Sequence, residues 1–431
     1  TMSMNGELHL GAYPLPLDGR SAGLGQAAER WSRLAYGAAL AFMVTLYANP
    51  AFYWPIFEKA RLGIVTGALC AFAVLMRRLT SGEALRLGGP PATLLFLYAA
   101  TIPLSYAWTI APERTADAVA DIVKLLVLYV ALVNALDTPG RLRAFLVIGA
   151  ITTLAPSLGG IERWLEDDNL VEGYRTAWRG NYADPNRLAM GVVLLLPAAL
   201  VMASQVRRAW VKALLYFTAA ANLAVIVLTH SRSGSIAMAA GLALTFLRGR
   251  RKGRGLVLAG VGLALLVALA PESFWRRNET IADYQEDASF QGREHAWSLL
   301  KVIAAERPLS GVGAGAFIAS WDQFAPLSAG GQHLIAHNIF MEIMGEQGAL
   351  ALLLFGGFAG WIFVRLWMAG ADPGGGAEAR AILAGLVAFL ICELVNGYSR
   401  NFNLYVAFAA AIAAISQART RAKLAAASAG P

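Results

Sequence analysis

Long apolar stretches separated by short polar connections dominate the chain, and their length is what a lipid bilayer requires. A membrane-crossing helix takes about 20 mostly apolar residues, fewer where the ends snorkel. By that measure spans are predicted near 34–48, 61–76, 90–108, 117–136, 144–160, 187–204, 211–228, 235–247, 256–270, 338–367, 381–397 and 403–416. The expectation is an all-α polytopic membrane protein of about 12 transmembrane helices, with no internal repeat and no regular heptad.

The connections between these stretches are asymmetric. Those after even-numbered spans hold Arg77, Arg78 and Arg86, then Arg141 and Arg143, then Arg207, Arg208 and Lys212. The run Arg248, Arg250, Arg251, Lys252 and Arg254 follows the eighth span, and Arg419, Arg421 and Lys423 follow the last. Short odd-numbered connections carry far fewer, Arg114 alone after the third. The positive-inside rule then puts both termini in the cytoplasm and the odd connections on the other side, which in a bacterium is the periplasm. The division expected is a cytoplasmic tail 1–33, helices 1–9 over 34–270 with an outward loop 161–186, a large outward loop 271–337, helices 10–12 over 338–416, and a cytoplasmic tail 417–431. Within the large loop, 293–303 reads as an amphipathic helix with Trp297, Leu300 and Ile303 on one face. It either lies on the membrane rim or caps the bundle.

Composition agrees with the pattern. Hydrophobic residues make up 57% and charged residues 15%, against roughly 25% charged in soluble domains. Mean hydropathy is +0.52. A disordered chain, a collagen, a disulfide scaffold and most soluble enzymes are excluded. The net charge of +8 belongs with basic cytoplasmic loops, and no nucleic-acid motif accompanies it. Cys70 and Cys392 lie in apolar stretches and cannot staple an extramembrane domain. Residues 1–33 are polar and glycine-rich with no apolar signal core, so no cleavable signal peptide is expected; Thr1 in place of an initiator Met suggests a trimmed start.

Four polar clusters fall on the outward side. In 178–189, Asp184 is an N-cap candidate, Pro185 suits the first helical position, and Arg187 lies in the first turn, a favourable place for an anion. The same segment reads equally as an ordinary capped helix. In Thr229-His230-Ser231-Arg232-Ser233-Gly234, an arginine near the apolar zone costs up to about 2.5–3.5 kcal/mol, so Arg232 calls for a partner. That partner is either an anionic ligand or a carboxylate such as Glu342, Glu346 or Glu393. Gly292-Arg293 precedes the glycine-rich turn 307–315, whose amides either meet a diphosphate or serve a tight turn. Ala336-His337-Asn338 stands at the mouth of the tenth span, where a neutral imidazole can take a proton from an alcohol. There is no His-Glu-x-x-His, no paired cysteine, no Asp-x-Asp in the outward loops and no Gly-x-Ser-x-Gly elbow. No metal or other cofactor is expected. Arginines on one side of a bundle beside one histidine suit a lipid-linked diphosphate, because the planar guanidinium holds two oxygens at once.

These motifs resemble the O-antigen ligase and polymerase superfamily. Asp184-Pro185-Asn186-Arg187-Leu188-Ala189, Ser231-Arg232-Ser233-Gly234, Gly292-Arg293 with Trp297, Pro308 through Gly313, and Ala336-His337-Asn338 occur in the order seen there, across about residues 175–350. Ser233 stands where the family commonly reads glycine directly after the arginine. The resemblance implies a GT-C-like, metal-independent glycosyltransferase of the bacterial inner membrane with its active site facing the periplasm. Its donor would be O-antigen on undecaprenyl diphosphate and its acceptor lipid A–core. It further implies that Arg187, Arg232 and Arg293 hold the donor diphosphate and that His337 activates the acceptor hydroxyl. Arg179, Asp184 and Asn338 would be supporting or substrate-orienting residues. Direct displacement would invert the anomeric carbon.

A glycan polymerase and a protein O-oligosaccharyltransferase share these motifs. The compact loop 271–337 favours the ligase. A lipid flippase or secondary transporter is the rival of another class, with Asp117, Asp121 and Lys124 as a possible relay or a local helix contact. The lack of repeats and the one-sided arginines count against it.

Overall fold

The computed structural model describes residues 19–249, 271–279, 288–325, 333–372 and 376–428. Among these the chain is helical, apart from connecting turns and one isolated bridge between Val171 and Arg175. The first helices are α1 (Gly19–Tyr47), α2 (Pro55–Lys59), α3 (Leu62–Ser81), α4 (Ala92–Leu104), α5 (Pro112–Ala135), α6 (Pro139–Thr152) and α7 (Leu154–Leu165). Next come α8 (Pro185–Ala203), α9 (Ala209–Leu228) and α10 (Arg232–Leu247). Then follow α11 (Glu272–Glu279), α12 (Ala288–Glu306) and α13 (Trp321–Phe324), and lastly α14 (Ile339–Gly370), α15 (Ala377–Asn396) and α16 (Phe402–Ser428).

Capping chemistry sets many of the boundaries. Proline opens α5, α6 and α8, where its missing N–H has no partner to lose. Thr138, Asp184, Ser231 and Asn338 each accept a backbone N–H of the turn that follows. Among the described residues, six segments are long and apolar enough to cross a membrane: Leu62–Ser81, Pro139–Leu165, Pro185–Ala203, Ala209–Leu228, Ile339–Gly370 and Phe402–Ser428. Ala92–Ala107 and Arg232–Leu247 are apolar but shorter. The chain is thus a multi-pass, all-α membrane protein. The expected span at 256–270 lies outside the described residues, as do 280–287 and 326–332 of the long loop. Three elements differ most from expectation. α1 begins at Gly19, well inside the expected tail, the fifth span is broken at Thr153 into α6 and α7, and α16 continues to Ser428, through most of the expected tail 417–431.

Burial sorts the helices into layers. The apolar window of α8 is 78% buried, whereas that of α3 is 22% buried and lies at the periphery. A helix apolar on every side belongs in the interior, and α8, α15 and the alanine-rich first half of α16 answer to that description. Small residues there let backbones approach closely, which is how helices associate in lipid.

The expected amphipathic helix is α12, and it caps the bundle. Ala296, Leu299, Leu300 and Ile303 are buried against Val312, Phe317, Trp321 and Ala336, with Trp297 packed partly buried beside them. α14 is interrupted under this cap, where Gly348 takes φ +82°. The Pro308 carbonyl accepts the Ala349 N–H there at 2.8 Å, and a side chain on Gly348 would overlap the Leu309 carbonyl. Gly348→Ala therefore combines a left-handed backbone with a clash, and a loss of about 1–3 kcal/mol is expected. It would be read as a lower unfolding midpoint in detergent.

Candidate active site

Three helices start at the end of the bundle where α15 finishes, and the four expected clusters meet there. Asp184 Oδ1 accepts the N–H groups of Asn186 at 2.9 Å and Arg187 at 3.0 Å, which fixes the start of α8. Ser231 caps α10 and donates its hydroxyl to Asn186 Oδ1 at 2.9 Å, joining the two starts. Asn338 Oδ1 accepts the N–H groups of Phe340 at 3.0 Å and Met341 at 3.1 Å at the start of α14. Arg293 of α12 donates to Asn396 Oδ1 at 3.1 Å, and Asn396 in turn donates to Ser233 at 2.9 Å. One polar chain thus links α12, α15, α10 and α8. Each helix start contributes partial positive charge, and Arg187, Arg232 and Arg293 add full charges beside it.

His337 sits among these groups. Trp297 Nε1 donates to the Ala336 carbonyl at 3.1 Å and Trp321 Nε1 to the Leu334 carbonyl at 2.8 Å, holding the 333–338 segment against the cap. His337 itself takes φ +51°, a conformation sparsely used outside glycine. Its ring makes no hydrogen bond among the described residues. Burial foremost, then the Arg293 cation, pushes the imidazole down to about 4; Asp184 opposes this and Arg187 adds to it. The ring is therefore neutral at ordinary pH, with a lone pair on offer. The same interactions show Arg187, Arg293 and Asp184 to be its charged neighbours.

The expected residues divide into groups. Arg187, Arg293, His337 and Asp184 are brought together, and Arg232 stands one residue from Ser233 in the same network, its Nε buried. Asp184 and Asn338 are helix caps. Arg179 is directed elsewhere, donating to the Phe52 carbonyl at 3.0 Å. The first-turn N–H groups of α8, expected to be open to an anion, are taken by Asp184, so the anion-binding capacity there rests on the Arg187 side chain. The glycine-rich turn also differs from its phosphate reading. Val312, Gly313, Ala314 and Gly315 give their N–H groups to Gly345 O, Glu346 O, Ser105 Oγ and Glu346 Oε2. Its glycines serve close approach: a side chain on Gly313, at φ +105°, would overlap Thr109.

The carboxylates weighed as partners of Arg232 have other recorded partners. Glu342 and Glu346 flank Arg400, at 3.5 and 3.1 Å. Glu393 accepts from Asn401 Nδ2 at 2.8 Å and from the Tyr398 N–H at 2.9 Å. Asp121 and Lys124 form an exposed i,i+3 pair at 2.7 Å, not a buried relay.

Residues beyond the expected set complete the site. Buried Arg175 donates to the Thr229 carbonyl at 3.1 Å and to Asn186 Oδ1 at 3.1 Å, clamping the 229–231 turn to the start of α8. Asn396 and Arg400 lie in Asn396-Gly397-Tyr398-Ser399-Arg400-Asn401, a polar run between two apolar helices whose composition is itself a signal. Within it, the Tyr398 N–H donates to Glu393 at 2.9 Å. Lys124 also lines a lateral groove of about 650 Å³ walled by Phe42, Leu46, Ile64, Val127 and Tyr182, with Arg61 at its edge.

No curated protein matches the chain at a significant level. Among solved structures, a chain from a study of the structural coordination of polymerization and crosslinking by a peptidoglycan synthase complex is similar at 18% identity and TM-score 0.43. The likeness covers 76% of this chain and 97% of that one, and is too slight to carry fold or function. Residues 217–356 match the family model described as O-antigen ligase. This stretch, about a third of the chain, holds the 231–234 turn, Arg293 and His337, and over it the chain is similar to the O-antigen ligase family.

Proposed function

We propose that this end of the bundle binds the diphosphate of an undecaprenyl-diphosphate-linked O-antigen and transfers the glycan to lipid A–core, in the inner membrane and on the periplasmic face. The observation that carries the reading is a neutral, unbonded His337 among Arg187, Arg293 and three converging helix starts. An about twelve-span bundle with cytoplasmic termini, as the basic loops suggest, would set this face outward.

In this reading Arg187, Arg232 and Arg293 bind the diphosphate, in the role a divalent cation plays elsewhere. The acceptor hydroxyl oxygen attacks the anomeric carbon as the carbon–oxygen bond to the diphosphate breaks. The bonding electron pair leaves on the diphosphate oxygen, and the hydroxyl proton passes to His337. Backside attack inverts the anomeric configuration. The lateral groove, apolar with Arg61 and Lys124 at hand, suits the polyprenyl chain of the donor.

The test is transfer by purified protein in liposomes with EDTA present. Glycan attached to lipid A–core supports the ligase. Longer lipid-linked glycan without such attachment would make the protein a polymerase. Glycan on an added acceptor protein would make it a protein glycosyltransferase. No transfer, with substrates active towards a known enzyme, would favour lipid transport instead.

A further inference from the structure

The opposite end of the bundle carries a second cationic groove that glycan transfer does not use. α14 runs from Asn338 to Gly370 and α16 from Phe402 to Ser428. Arg365 and Arg419 therefore lie far along their helices from His337 and Arg400. Between α5, α14 and α16 there is a cavity of about 300 Å³ lined by Arg86, Val133, Trp361, Ile412, Ile415 and Arg419. A second cavity of about 460 Å³ shares Ile415 and Arg419 with it and continues past Arg365 and Met368. The two form one groove, apolar along the helices and basic at its mouth.

Its arginines are available. The Arg419 guanidinium lies 5.4 Å from the centre of the Trp361 ring and Arg365 lies 6.0 Å from the same ring. Of the acids in the wall, Asp137 is held by Arg77 at 2.7 Å and Arg141 at 3.1 Å, and Asp372 by Arg421 at 3.4 Å. Arg86 and Arg419 are exposed and have no carboxylate partner among the described residues. Two unneutralised guanidinium groups above an apolar trough match one amphiphile, a phosphodiester with hydrocarbon chains.

We propose that this groove is a binding site for an anionic glycerophospholipid of the leaflet opposite the active site. The phosphodiester lies between Arg86 and Arg419, and an acyl chain runs along Val133, Ile412 and Ile415. A zwitterionic lipid brings a cationic headgroup group to the same arginines and is disfavoured. The site is independent of the acceptor used at the other end. Basic pockets between membrane helices recognise anionic headgroups in this way, and each arginine near an anionic surface is worth about a fivefold change in affinity.

The experiment is native mass spectrometry of the full chain in detergent, titrated with phosphatidylglycerol or phosphatidylcholine. Preferential retention of phosphatidylglycerol is expected, reduced about 25-fold in Arg86→Gln/Arg419→Gln. A control, Arg207→Gln/Arg208→Gln, removes two basic charges outside the groove and should leave retention unchanged. Val133→Trp fills the trough without altering charge and should also release the lipid. Equal retention of the two lipids, equal retention by the groove variants, or an equal loss in the control would each overturn the proposal.

Discussion

His337→Asn should reduce glycan transfer by about 10²- to 10⁴-fold, the range typical of losing a positioned general base, while the protein stays folded. Asparagine is the informative replacement because it also tolerates the left-handed backbone at this position, φ +51°. It keeps a hydrogen-bonding side chain but cannot take up the proton. The pH dependence gives a second, separate reading. With its pKa pushed down to about 4 by burial and then Arg293, His337 in the free protein stays neutral until the pH falls towards that value. Protonation removes the acceptor lone pair, so kcat/KM should decline on the acid side near pH 4, not near the ordinary histidine value of about 6.5. A bound diphosphate offsets the positive charge of Arg187 and Arg293, and the imidazole should then hold its proton more readily. The acid limb of kcat, which reports the substrate complex, is expected at higher pH than that of kcat/KM. An Asn variant retaining more than a tenth of wild-type transfer, or coincident limbs near 6.5, would remove His337 from the base role.

Much of this site can be read from local sequence, because helix caps are local. Asp184-Pro185 and Asn338 announce the starts of α8 and α14 through residues two or three positions apart. α12 is likewise legible from its spacing, since of the expected face Leu300 and Ile303 are buried and Trp297 is partly buried beside them, although the buried Ala296 and Leu299 are not part of that expectation. The contacts that assemble the site are different in kind. Arg293 and Asn396 are 103 positions apart and Asn396 and Ser233 are 163 apart, and no local pattern pairs them. The buried clamp made by Arg175 is hidden for the same reason. The glycine-rich turn misleads because glycines that admit a phosphate and glycines that admit a neighbouring helix are the same residues. Only the destinations of the amides, Glu346 and Ser105 among them, tell the two apart.

Loss of Arg400 should be among the most destabilising single changes in the described structure. Its guanidinium lies between Glu342 and Glu346, and the three side chains are 13%, 8% and 4% exposed. Glu342 further accepts from the Ser399 hydroxyl at 3.0 Å, and Glu346 from the Gly315 N–H at 2.7 Å. The cluster therefore ties α14 to the α15–α16 turn and to the loop beneath α12. Arg400→Met keeps the length of the side chain but leaves two neighbouring buried carboxylates uncompensated, a change that typically costs about 3–5 kcal/mol. Removing the acids with the arginine should recover much of that loss, because an unpaired buried charge, not a missing attraction, is the main cost. The unfolding midpoint in detergent should thus fall sharply in Arg400→Met and rise again in Arg400→Met/Glu342→Gln/Glu346→Gln. Transfer activity need not return with stability, since glutamine at 346 changes how the Gly315 loop is held while the helix start bearing His337 is restored. A single variant as stable as the wild type would mean that the two glutamates do not depend on Arg400, and that the apolar face of α12 with the backbone bonds of the 308–314 loop suffices to hold the cap.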